Sequence, residues 1–215
     1  AFPERADPRD ALVARAPDAR IETLPAGARI GTGSARRATQ LRAQRPDLEI
    51  LPLRGNVTTR LERLAEGRFD AVILACAGLD RLDLGDRIAE RIAPELLLPA
   101  VGQGVLAIEA RAGEALAGDL AAIGDAATQR AILAERAFLT RLEGDCNVPL
   151  AAFAQVEADG MLWLRGLVAS GDGATLARAE ARGADPEEAG VRVAEAVLAD
   201  GGAEILAALR AEAAS

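Results

Sequence analysis

Ala28-Arg29-Ile30-Gly31-Thr32-Gly33-Ser34-Ala35-Arg36-Arg37 is the stretch that decides the fold. Ala28 to Gly33 reads as a short strand running into a glycine-rich turn. Ser34 is a good N-cap, because its hydroxyl can accept one of the N–H groups that a helix start leaves unpaired. Ala35 to Gln44 has helical character and stops near Pro46. The same order repeats downstream. Leu48–Leu53 is the next strand, Gly55-Asn56 turns the chain with Asn56 as N-cap, a helix runs from about Val57 to Ala65, and Gly67 closes it. Ala71-Val72-Ile73-Leu74-Ala75 is a continuous apolar run, as expected of a strand buried on both faces. Residues 28–76 therefore read β-α-β-α-β, which implies a parallel sheet with right-handed crossovers.

Outward from this unit the signals change. Residues 1–20 are charged and lack clear periodicity. Pro94 to Gly104 is linker-like, and Val105–Ala110 looks like another strand. Ala126 to Leu142 has a long helical pattern. Val148–Gln155, Met161–Val168 and Thr175–Arg182 resemble three strands, parted by turns at Asp159-Gly160 and Gly171-Asp172-Gly173. Two helices follow, about Pro186–Ala199 and Ala203–Ala214, with Gly201-Gly202 between them. Residues 127–215 are expected to form a small α+β domain.

Composition narrows the function. The chain has 215 residues, half of them hydrophobic, enough for one large domain or two small ones. With four Phe, one Trp and no Tyr, stacking platforms for single-stranded nucleic acid are nearly missing. The net charge of −8 makes a poor general binder of nucleic acid or anionic membrane. Any anion site must be local and built from clustered arginines. There is no His, which excludes a Ser-His-Asp triad, a Cys-His pair and a His-ligated metal within these residues. Two distant Cys make neither a structural zinc site nor a disulfide scaffold. No apolar run is long enough to span a bilayer. The first residues do not read as a signal peptide, so a cytoplasmic protein is expected.

Three constellations bear chemistry. In Gly31 to Arg37 the glycines allow close backbone approach, while Ser34 and the helix start offer an anion site. Arg36 and Arg37 occupy the first helical turn, where the helix dipole disfavours cations, and this broken local rule points to a negatively charged ligand. The plainer alternative is two solvated surface arginines. Leu53-Arg54-Gly55-Asn56-Val57-Thr58-Thr59-Arg60 repeats the logic at the next strand-to-helix junction. Such junctions of a parallel sheet open on one edge, so the arginines could converge on one cleft and hold carboxylates with their planar forks. Arg81 would point to the same edge. In the third, Arg141-Leu142-Glu143-Gly144-Asp145-Cys146-Asn147-Val148-Pro149, a loop placement allows Cys146 to act as a nucleophile, with an inert thiol as the plain alternative. Cys76 reads as a small buried hydrophobe.

Together these segments resemble hydroxymethylbilane synthase, also called porphobilinogen deaminase. The match begins at Glu4-Arg5-Ala6-Asp7-Pro8-Arg9-Asp10-Ala11. It runs through Gly31–Arg37, Leu53–Val57 with Thr59-Arg60-Leu61, and Ala75–Leu79 with Arg81-Leu82. It ends with Leu98-Pro99-Ala100-Val101-Gly102-Gln103-Gly104 and Glu135-Arg136-Ala137 to Pro149. No single motif is specific; their order and spacing are.

The resemblance implies an α/β fold: a periplasmic-binding-protein-like parallel-sheet domain plus a small C-terminal α+β domain with a three-stranded antiparallel sheet. It implies that residues 1–8 are a remnant of a first domain, 9–98 the second domain, 99–124 a return segment of the first, and 127–215 the domain that anchors the cofactor. It implies a transferase of heme biosynthesis that links four porphobilinogens head to tail, releasing ammonia, on a dipyrromethane cofactor held covalently by Cys146. Arg36, Arg37, Arg60, Ser34 and Thr32 match cofactor-binding positions, and Arg54 and Arg81 match substrate-binding ones. A cytoplasmic monomer is implied, with porphobilinogen as its small-molecule partner and no metal, nucleic acid or membrane. Each pyrrole unit brings two carboxylates, and a cluster of fixed cations suits such a ligand.

The sequence departs from the family in three places. The family's catalytic aspartate, in a Lys-Asp pair, matches no residue here, Asp7 and Asp10 included, so most of the first domain is expected to be missing and the chain alone to be inactive. Gly33 stands where the family has a Ser, and Asp145 where it has a Gly before the cysteine. A non-enzymatic carboxylate-binding domain of the periplasmic-binding-protein type also explains the arginines, but it gives Cys146 no task. A nucleotide-binding Rossmann-like domain lacks its third glycine, because Arg36 stands in that place.

Overall fold

The computed structural model describes residues 1–111, 113, 115–143 and 148–213. Sheet one holds β1 (Asp10–Ala14), β2 (Arg29–Thr32), β3 (Glu49–Pro52), β4 (Ala71–Ala75) and β5 (Glu90–Ile92), in the order β3-β2-β4-β1-β5. Helix α1 (Ala35–Gln44) joins β2 to β3, and α2 (Val57–Ala65) joins β3 to β4. β2 pairs parallel with both β3 and β4, so the β-α-β-α-β unit stands as read. Both helices start as their caps dictate. Ser34 Oγ accepts from Arg37 N at 3.4 Å, and Asn56 Oδ1 accepts from Thr59 N at 2.9 Å. Gly67, with φ +76°, closes α2.

The sheet keeps the expected parallel unit and is mixed at one side, where a reversed strand joins it. β1 runs antiparallel to both β4 and β5 and lies between them. Its residues alternate: Ala11 and Val13 pack with Leu61, Leu64 and Leu79 on one face, and Leu12 packs with Leu41 and Ile30 on the other. Because β1 is reversed, its first residue, Asp10, lies beside Ala75 at the carboxyl edge of the parallel strands. A short helix, α3 (Cys76–Asp80), leaves that edge directly. Cys76 is fully buried, as read.

The expected strand at Val105–Ala110 does not form. That segment belongs to no regular element and meets the N-terminus only at single points, such as Ile108 N to Ala1 O at 3.0 Å. An apolar run becomes a strand only when a neighbour supplies a ladder. A helix not foreseen, α4 (Ala115–Ala121), follows it.

Sheet two holds β6 (Leu150–Val156), β7 (Leu162–Ala169) and β8 (Leu176–Gly183), antiparallel in chain order, as read. Helices α5 (Ala126–Arg141), α6 (Pro186–Val197) and α7 (Ala203–Ala213) cover one face, and Gly201, at φ +95°, bends the chain between the last two. Phe138 of α5 is fully buried over Gly166, where a Cβ would lie 2.4 Å from its ring. The other face packs Phe153 and Leu167 against Leu98, in the segment that follows β5.

Candidate functional site

The site grows from the carboxyl edge of sheet one. Thr32 ends β2 and is almost fully buried; its Oγ1 accepts from Ser34 N at 3.2 Å and shapes the turn into α1. The first turn of α1 then aims Arg36 and Arg37 inward instead of toward solvent, with exposures of 5% and 8%. Solvated surface arginines are thereby ruled out at both positions.

Their counter-ion is Asp10, which is fully buried. Asp10 Oδ2 accepts from Arg36 Nη1 at 2.7 Å, and Oδ1 accepts from Arg36 Nη2 at 3.2 Å and Arg37 Nε at 2.8 Å. Arg37 Nη2 lies 2.7 Å from the same Oδ1. Burial alone would raise the Asp10 carboxyl; the charges of Arg36 and Arg37, with their hydrogen bonds, outweigh it and hold the group below the ordinary carboxylate range. Two further side chains fix the arrangement. Gln103 Nε2 donates to Asp10 Oδ1 at 3.1 Å while its Oε1 accepts from Arg36 Nη2 at 3.2 Å. Gln40 bonds both ways to the backbone of Leu98, whose carbonyl also accepts from Arg36 Nη1 at 2.6 Å.

Arg60 is half-buried one turn into α2, with Nε on Gly55 O at 2.8 Å. It stands close enough to Arg37 to repel it, adding to the burial that lowers the Arg37 guanidinium. A guanidinium nevertheless stays charged at any physiological pH. Thus Thr32, Ser34, Arg36, Arg37 and Arg60 share one edge. Arg54 is exposed at the end of β3 and makes no ion pair among the described residues. Arg81 is exposed, and its Nη2 donates to Gly104 O at 3.0 Å, next to Gln103. Cys146 lies outside the described residues.

Asp10, Gln103 and Gln40 were not foreseen as site residues. Asp10 and Gln103 stand in quoted motifs, but their partnership depends on β1 being reversed and on residue 103 folding back over it. A second ion-pair chain flanks the same edge: Asp7 binds Arg9 and Arg91, and Arg91 binds Asp80.

The donor set suits an anionic ligand. Two guanidiniums, Arg36 and Arg37, close on one buried carboxylate, Asp10, and Arg60 stands beside Arg37, so the three cations and one anion leave a net charge of +2 in a chain whose overall charge is negative. Ser34, partly exposed, adds a hydroxyl.

Comparison with known proteins follows the same division. Residues 1–118 match the family model described as porphobilinogen deaminase, dipyromethane cofactor binding domain, and residues 129–199 match the porphobilinogen deaminase C-terminal domain. A porphobilinogen deaminase of Roseiflexus sp. (strain RS-1) is 52% identical over 210 residues, 96% of this chain and 68% of that protein. One from Roseiflexus castenholzii is 51% identical, covering 95% of this chain and 68% of that protein. One from Brevibacillus brevis is 47% identical, covering 96% and 67%.

Proposed function

The chain belongs to the porphobilinogen deaminase family, and from that premise we propose that it serves the head-to-tail joining of four porphobilinogens into hydroxymethylbilane, with release of ammonia. The observation that carries the reading is the buried pair of Arg36 and Arg37 on Asp10 with Arg60 beside Arg37, a net-positive cluster inside the segment matched to the cofactor-binding model.

The residues fit the cofactor. Arg36, Arg37 and Arg60 hold its acetate and propionate groups, Ser34 and Thr32 add polar contacts, and Cys146 anchors it through sulfur. When bound, dipyrromethane supplies the pyrrole carbon on which the chain grows. Arg54, exposed at a strand end, and Arg81, once released from Gly104, receive the carboxylates of incoming porphobilinogen. Fixed cations stabilise these carboxylates without reorganising, which favours binding in a defined pose. Residues 9–98 act as the second domain, 1–8 and 99–124 belong to the first, and 127–215 carry the anchor. A cytoplasmic monomer fits this reading.

The role of a proton-moving carboxylate falls to none of these residues. Asp10 is committed to Arg36 and Arg37, and Asp7 to Arg9 and Arg91. On this reading the chain by itself does not turn over.

The test joins the chain to the part of the Roseiflexus sp. protein that it does not cover and expresses it in cells making porphobilinogen. Intact mass is expected to show a dipyrromethane adduct that Cys146→Ala removes and Arg36→Leu prevents. An unmodified mass would instead favour a non-enzymatic carboxylate-binding domain.

A further inference from the structure

Asp10 is the one acidic side chain of sheet one that is wholly enclosed by cations, and the proposed chemistry gives it no task. Its surroundings do. Each guanidinium carries five N–H donors. Arg36 spends both hydrogens of Nη1, on Asp10 and Leu98 O, and both of Nη2, on Asp10 and Gln103. Arg37 spends Nε on Asp10 and one Nη1 hydrogen on Ile73 O, while its Nη2 stands 2.7 Å from Asp10 Oδ1 as an ion-pair contact. Among the described residues, Nε–H of Arg36, one Nη1 hydrogen of Arg37 and both of its Nη2 hydrogens make no hydrogen bond. Charge sets the tighter limit, because two cations less one anion leave +1.

We propose that Asp10 is a positioning residue that locks Arg36 and Arg37 in one arrangement and limits the pair to a single carboxylate group of the ligand. The one net charge balances one carboxylate, and a second buried against the pair would be left uncompensated. A second carboxylate must then be met elsewhere, and Arg60, beside Arg37 with its Nε on Gly55 O, is a cation that can meet it. Gln103 shares in the lock, since it touches both Asp10 and Arg36 without carrying charge. The inference rests on the function proposed above, because it takes the ligand to be polycarboxylate.

The test uses the joined full-length protein, with two readouts: adduct mass, and the rise in Tm when sulfate is added to protein freed of cofactor by omitting porphobilinogen. Asp10→Asn removes the counter-ion and leaves +2, so sulfate is expected to raise its Tm at least twice as far as in wild type. Adduct loading is expected to fall tenfold or more, because the guanidiniums lose their fixed geometry. Gln103→Leu keeps the charge; its sulfate response should equal wild type while loading falls a few-fold. A folded Asp10→Asn with a wild-type sulfate response, or with full loading, overturns the inference. If Asp10→Asn does not fold, Asp10→Asn combined with Arg36→Met restores +1 and is expected to fold with a wild-type sulfate response; an enlarged response there overturns it. A wild type without adduct sinks the proposed function itself, whereas adduct in both wild type and Asp10→Asn sinks only the role given to Asp10.

Discussion

The Arg5 guanidinium closes on the Glu135 carboxylate through two hydrogen bonds, 2.6 and 3.3 Å long, across 130 residues of sequence. Glu135 is fully buried on α5 and also accepts from Gly102 N at 2.6 Å and Ala154 N at 2.9 Å. Arg5 lies over the Phe153 ring, 5.0 Å from its centroid. One carboxylate thus ties the N-terminal segment, the 99–104 segment and sheet two together.

Arg5→Met is therefore expected to leave a buried charge without its partner. Breaking such a pair costs ~3–5 kcal/mol. The deficit should narrow as pH is lowered, because burial already raises the Glu135 carboxyl against the pull of Arg5, and a native state with a raised carboxyl takes up its proton early. Urea melts of both proteins at two pH values check this; a cost under about 1 kcal/mol, or one that ignores pH, contradicts it.

Asp7 gives the opposite sign. Burial would raise its carboxyl, but hydrogen bonds from the Arg9 side chain and backbone and from Arg91 outweigh burial and bring it from 3.8 to about 2. A depressed folded value stabilises the protein fully above 3.8, and the gain is lost as pH falls toward 2. With solvent screening it is worth no more than ~2 kcal/mol. Asp7→Asn should lower stability at neutral pH and flatten the loss between these pH values. Parallel stability curves for the two proteins would show that Asp7 contributes no such linkage.

Cys76 is expected to be silent toward thiol reagents. It is fully buried, and burial together with the nearby Asp7 charge pushes its thiol up to about 12. The thiolate is the reactive form, so native protein at pH 8 should label at Cys76 only as fast as it unfolds. Mass mapping of alkylated peptides with and without urea tests this, and rapid native labelling of Cys76 would refute the buried placement.

The legible parts of this fold were local. Ser34 and Asn56 announce their helices, because a cap needs only the residue and the N–H groups next to it. Ala71–Ala75 announces a doubly buried strand by composition alone. β1 was hidden because Asp10–Ala14 is short and follows charged residues, and its pairing partners lie about 60 and 80 residues away. β5 has three residues and no periodicity to read. The same gap explains the arginines. Their spacing marked an anion site, but nothing local says that Asp10 reaches them, since this follows from the reversed direction of one strand. Cys146 could be read only through the resemblance.

Gly33 stands where the family carries a serine, and the structure gives the substitution a physical context. A Cβ built on Gly33 would lie 2.6 Å from the Leu53 carbonyl oxygen, a backbone atom that cannot rotate away. Leu53 N donates to Thr32 O at 3.1 Å at that point, so β2 and the chain after β3 are still paired where the turn toward Arg36 begins. Gly33→Ser should push the strands apart and cost ~1–3 kcal/mol, as overpacking does. The added hydroxyl would then arrive on a displaced turn, with Ser34 and Arg37 shifted from their present hydrogen bond. Lower Tm and reduced adduct loading are expected, and Gly33→Ala should show the same loss, because the clash belongs to Cβ and not to the hydroxyl. If Gly33→Ser loads better than wild type at unchanged Tm, the Leu53 backbone yields freely and the close approach of β2 and β3 is not what requires glycine here.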